Sequence, residues 1–101
     1  MTSQKIKIKI KEPDLDITNI SKVYTQVINL FDNKIKKITL DLENVNFIDS
    51  EGIWGLYDIH IKANKTGNKI QLININSEVR EILKITKLLN KLKILDLSHN
   101  L

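Results

Sequence analysis

The stretch Val45 to Leu56, reading VNFIDSEGIWGL, limits the fold of this chain more than any other. An apolar run with Val45, Phe47 and Ile48 stops at Asp49-Ser50-Glu51-Gly52, and apolar residues with helical spacing resume at Ile53. A strand therefore feeds a helix through a polar elbow. The first N–H groups of such a helix have no intrahelical partners, and the positive end of its dipole lies at the turn. Ser50 sits where an oxyanion would be welcomed.

The flanking segments agree with this unit. Lys5 to Lys11 alternates Lys with Ile6, Ile8 and Ile10, which predicts an amphipathic strand with one wet face. Pro13 stops it, and Asp14 to Thr18 reads as a turn rich in capping residues. From Asn19, the residues Ile20, Val23, Tyr24, Val27, Ile28 and Phe31 follow the period of a helix that buries one stripe, ended by Asp32-Asn33. Ile38 to Leu42 returns to strand alternation, with a polar break at Glu43-Asn44. The helix after the elbow is predicted over residues 50–66, with Gly67 placed to close it in the left-handed conformation. Ile70 to Ile75 is the next strand. Ser77 is the expected N-cap of a third helix, with Glu78 and Glu81 in its first turn and Val79, Ile82, Leu83 and Thr86 on its buried stripe. Ile94 to Leu97 gives a last short strand. Alternating strands and helices imply an α/β fold, a sheet of about four strands with helices packed on it.

Composition excludes several classes. The 101 residues suffice for a single domain over 1–101. Without cysteine there is no disulfide framework and no thiolate metal site, and neither a metal nor a cofactor is implied. MTSQKIKIKIK never builds the apolar core of a signal peptide or membrane span, which points to the cytoplasm. The net charge of +4 invites a nucleic-acid reading. Against it, the lysines alternate with isoleucines or flank helices, without interleaved aromatics for base stacking. Catalysis is argued against by the residues themselves. His60 and His99 lie in no motif with a nucleophile and an orienting acid, and Gly52, Gly55 and Gly67 make no phosphate loop. His60 reads as a structural histidine, and Asp14 and Asp16 read as caps.

The elbow resembles the strand–turn–helix signature of the STAS domain of bacterial anti-sigma factor antagonists: an apolar pair, Asp, Ser, Ser or Thr, Gly, then an apolar residue. Here it reads Phe47-Ile48-Asp49-Ser50-Glu51-Gly52-Ile53. The likeness extends from Leu15-Asp16 through Ala63 and Gly67 to Val79, Leu83 and Leu88. It implies a mixed sheet, and relative to it the chain has no room for the family's first strand and last helix. That leaves Ile6-Ile8-Ile10 as a lysine-guarded edge or a surface for pairing with a second copy.

The resemblance further implies a non-catalytic regulator of transcription that binds a serine-kinase anti-sigma factor and is switched by phosphorylation of Ser50. A second implied role is a soluble accessory subunit of a membrane transport ATPase complex. Asp49, Ser50, Glu51, Gly52 and Trp54 are the expected partner-binding residues. Each has a plainer reading. Ser50 or Asp49 caps the helix, Gly52 permits close packing on the sheet or on a partner, and Glu51 is a solvated first-turn acid. Trp54 is either an exposed anchor or a core residue. Glu51 departs from the family's Ser or Thr and would repel an incoming phosphoryl group, and Lys87 replaces a frequent Gly near the end of the third helix.

Overall fold

A computed structural model describes residues 5–85 of the chain. Its strands are β1 (Lys5–Lys9), β2 (Asp14–Leu15), β3 (Lys37–Asp41), β4 (Phe47–Ile48) and β5 (Lys69–Ile73). The helices are α1 (Ile20–Asp32), α2 (Ser50–Lys65) and α3 (Ser77–Ile85). The α/β architecture is the one the sequence predicts, with the sheet divided. β1, β3 and β5 form one parallel sheet in that order, and β2 pairs with β4 in a second, two-stranded parallel sheet. All described strand pairs are parallel. The last predicted strand, Ile94 to Leu97, lies outside the described residues.

Parallel neighbours need a crossover, and α1 and α2 supply the two. Because β1, β3 and β5 follow one another in one direction, right-handed connections place both helices on the same face. That face carries the core. Ile38, Leu40, Ile70 and Leu72 are almost fully buried beneath Val23, Val27, Leu56, Ile59 and Ala63. α2 can lie close to α1 because Gly55 has no side chain: a Cβ there would stand 2.2 Å from Cγ1 of Ile20. On the other face the strands show Lys5, Lys7 and Lys9, then Lys37 and Thr39, then Lys69 and Gln71, all exposed or half-buried. β1 is an edge of the sheet, with its three lysines in solvent.

The segment read as a turn over 14–18 is shorter than predicted. Asp14 and Leu15 are paired with Phe47 and Ile48, and the Pro13 carbonyl accepts from the N–H groups of Asn46 and Phe47. Two residues carry no readable alternation, and their partners lie some thirty positions away. From Asp16 onward the turn is as expected: the Asp16 carboxylate accepts from the Thr18 N–H and hydroxyl, and the Asn19 Oδ1 accepts from the Asp16 N–H.

The cap of α3 is Asn76, not Ser77. The Asn76 Oδ1 accepts from the Val79 N–H at 2.9 Å, while its Nδ2 donates to the Val45 carbonyl and to Asn46 Oδ1. Two adjacent cap-forming residues are equivalent locally, and this tie to the β3–β4 loop selects between them. Glu78 lies in the first turn of α3 and Glu81 in the next. Gly67 closes α2 at φ +75°, as its position predicts.

One polar side chain is buried at the top of the sheet. Asp41, 3% exposed, accepts from Asn74 Nδ2 at 3.1 Å and from the Glu43 N–H at 3.0 Å, with Lys7 Nζ 3.8 Å away. Burial pushes its carboxyl pKa up, but the Asn74 amide, the Glu43 N–H and the charges of Lys7 and Lys9 outweigh it and hold the value below the ordinary one.

Candidate functional site

The elbow is built by Asp49. Its backbone is extended (φ −90°, ψ −178°), and its N–H continues the β2–β4 pairing by donating to the Leu15 carbonyl at 3.2 Å. Its carboxylate serves two elements. Oδ1 accepts from the Gly52 N–H at 2.8 Å and so caps α2, while Oδ2 accepts from the Ile17 N–H at 3.2 Å and holds the β2–α1 loop against the helix start. The aspartate is therefore half-buried and structural, as its capping reading anticipated.

Ser50 follows as the first helical residue. The structure decides against its reading as the cap, since Asp49 fills that role. Ser50 is exposed, and among the described residues its hydroxyl has no hydrogen-bond partner. A hydroxyl released from capping, at the positive end of a sixteen-residue helix, is accessible to a partner or a modifying enzyme.

Gly52 cannot be replaced without movement. A Cβ there would lie 2.3 Å from the Leu15 carbonyl oxygen and 2.9 Å from Cγ2 of Ile48, so helix and sheet touch through bare backbone. Of the two readings of Gly52, packing on the sheet is the one the geometry carries. Glu51 is exposed in the first turn, where the dipole favours a carboxylate.

Trp54 is 59% exposed and meets Tyr57 edge to face, ring centroids 6.0 Å apart. Its core reading is overturned, because the buried stripe of α2 runs through Gly52, Ile53, Leu56, Ile59 and Ala63 and Trp54 falls outside it. With Ile20, Tyr24 and Ile61 the two rings line an open groove of about 510 Å³ between α1 and α2, bordered by Glu51 and Asp58. Ile17 in the β2–α1 loop and Phe47 on β4, 65% and 51% exposed, add apolar surface. Neither was singled out from sequence. Phe47 could have been: adjacent strand residues point to opposite faces, and Ile48 at 1% exposure takes the inward one.

The remaining candidates do not join this site. His60 is half-buried on the second half of α2, beside a depression it shares with Lys37 and Lys69. Lys87 and His99 lie outside the described residues. Among the described residues no group of three His, Cys, Asp or Glu side chains could hold a metal ion, and no helix is long and apolar enough to cross a membrane.

The model of the STAS domain matches residues 4–100. The chain belongs to the STAS family. Solved structures agree in fold. TM1081 of Thermotoga maritima is 28% identical, with a TM-score of 0.73 over 87% of this chain and 77% of that one. The anti-sigma factor antagonist SpoIIAA in its unphosphorylated form is 16% identical, with a TM-score of 0.78 over 98% of this chain and 85% of that one. A sulfate transporter family protein from Wolinella succinogenes is 15% identical, with a TM-score of 0.75 over 90% of this chain and 75% of that one. At 15% and 16% identity the likeness concerns the fold alone. In this STAS domain the Asp49 carboxylate ties the β2–α1 loop to the first turn of α2, and Ser50, Glu51 and Trp54 follow it at exposed positions of that helix.

Proposed function

We propose that this STAS domain is a non-catalytic cytoplasmic regulator, acting as a single domain over residues 1–101, that binds a partner protein through the elbow and the adjoining face of α2. By likeness to anti-sigma factor antagonists the partner is a serine-kinase anti-sigma factor, and phosphorylation of Ser50 ends the interaction. One observation carries the reading: Ser50 is exposed, and among the described residues its hydroxyl has no hydrogen-bond partner, because Asp49 caps the helix. A phosphoryl group there adds about −1.5 to −2 charges and three acceptor oxygens. The helix N-terminus tolerates that charge within the domain, whereas a closely fitted partner is repelled or displaced. Asp49 and Gly52 shape the surface, and Ser50, Glu51 and Trp54 meet the partner.

The test is calorimetric titration of the anti-sigma factor with the domain carrying serine or phosphoserine at position 50. The reading expects at least a tenfold loss of affinity, and equal affinities would refute the switch. Glu51, next to Ser50 and exposed, favours a second reading. Its carboxylate opposes phosphoryl transfer, which suits constitutive binding to a membrane transport ATPase. In that case Ser50 stays unmodified in cells, which phosphopeptide mass spectrometry reads directly.

A further inference from the structure

The sheet face opposite α1 and α2 carries a feature that partner binding at the elbow does not use. The register sets Lys5 beside Lys37 and Lys37 beside Lys69, so the first residues of all three strands form one row of lysines. With strands about 4.8 Å apart, like charges stand directly opposite, an arrangement that weakens a sheet. Among the described residues no carboxylate pairs with any of the three; the ion pairs on this face join Lys7 to Asp41 and Lys9 to Glu43. Thr39 and Gln71 continue the polar face above the row, while Lys36, whose carbonyl accepts from the Lys69 N–H, lines a depression with Phe31 and Lys62 at the ends of α1 and α2. Lys65 ends α2 in solvent.

We propose that this basic face docks on an anionic lipid bilayer, the lysine row lying against the phosphate headgroups. Charge complementarity selects the partner, and the character of the face selects a membrane over nucleic acid. It offers lysine point charges on a broad three-stranded surface, with no arginine for bidentate readout and no aromatic ring for stacking. Docking also leaves the elbow free. α2 packs on the opposite face of the sheet, so Ser50 at its start belongs to the layer turned away from the bilayer.

The test is co-sedimentation of the full chain with phosphatidylcholine vesicles, with and without phosphatidylglycerol, at low and physiological salt. Binding is expected only with phosphatidylglycerol and should weaken as salt rises. Each lysine at such a surface is worth about fivefold in affinity, so the triple variant Lys5→Gln/Lys37→Gln/Lys69→Gln should lose on the order of a hundredfold. A control with the same net charge, Lys11→Gln/Lys22→Gln/Lys84→Gln, should stay within a few-fold of wild type. Lys5→Glu, confined to the exposed edge strand, repeats the test without touching the central strand. The proposal is overturned by failure to bind phosphatidylglycerol vesicles, by equal binding to phosphatidylcholine alone, or by equal losses in the two triple variants. It is also overturned if duplex DNA is retained more tightly than vesicles at the same salt through the same row.

Discussion

Replacing Gly52 with alanine sets two effects of opposite sign against each other. Alanine is better than glycine inside a helix by about 1 kcal/mol, and that gain applies in full at an ordinary helical position. At residue 52 the new methyl would stand 2.3 Å from the Leu15 carbonyl oxygen and 2.9 Å from both the Leu15 carbonyl carbon and Cγ2 of Ile48. Ordinary van der Waals distance requires a retreat of roughly 1 Å, and what must retreat is backbone. The Leu15 carbonyl is the acceptor for the Asp49 N–H, so the movement weakens that bond and loosens the β2–β4 pair beneath the cap. Overpacking costs about 1–3 kcal/mol and a backbone hydrogen bond about 1 kcal/mol. After subtracting the propensity gain, Gly52→Ala should destabilise the domain by about 2 kcal/mol, or roughly 8–16 °C in melting temperature.

Gly55→Ala is the internal comparison. There the clash is with the side chain of Ile20, which can turn or shift with α1, and the net cost should be about 1 kcal/mol or less. Urea unfolding followed by circular dichroism measures both. A Gly52→Ala domain as stable as wild type, or a Gly55→Ala domain that suffers more, would refute the claim that bare backbone contact holds the elbow together.

Three further outcomes follow from the same geometry. Ser50→Ala should change stability by less than about 0.5 kcal/mol because Ser50 caps nothing, whereas Asp49→Ala should cost about 1–3 kcal/mol by leaving the Gly52 and Ile17 N–H groups without their acceptor; thermal melts that reverse this order would reassign the cap. The folded state holds the Asp41 carboxyl below its ordinary pKa, so its charged form stabilises the fold above the carboxylate range, and that contribution is lost as pH falls through the depressed value. The stability gap between wild type and Asp41→Asn should therefore narrow on acidification, and a gap unchanged down to low pH would be contrary. Trp54→Ala should leave stability within about 0.5 kcal/mol yet weaken partner binding by at least about 2 kcal/mol, and since Trp54 is the only tryptophan its fluorescence should shift to the blue on complex formation.

The sequence was legible where a period or a local rule determines the outcome. The stripe of α1, the extent of α2, the strand at Ile38 to Leu42 and the left-handed close at Gly67 are all properties of a short window, and the structure has them close to the predicted places. The capping role of Asp49 and the packing role of Gly52 stood among the readings, but nothing local could choose between Asp49 and Ser50 as the cap. The choice rests on Ile17, whose N–H arrives from thirty-two positions away to take the second carboxylate oxygen. Asn76 was missed for the same reason, since its tie to Val45 is made across the fold. The pairing of Asp14 and Leu15 with β4 was invisible because a two-residue strand has no period. The lysine row was hidden differently: each strand shows only one lysine at its start, and three strands must be brought into register before the row exists.

The split of duties between Asp49 and Ser50 also bears on how such a surface can change over time. A residue that both builds a turn and meets a partner can vary only as far as the fold allows. Here the first task is discharged by the aspartate, with both oxygens committed, and the neighbouring position is left with no folding duty. Position 50 is thus free to sample other side chains, and position 51 with it, without first crossing a stability threshold. A lineage could exchange one partner for another, or a reversible signal for a permanent one, by altering the two exposed residues after a fixed aspartate, and an engineer could use the same pair to retarget the domain.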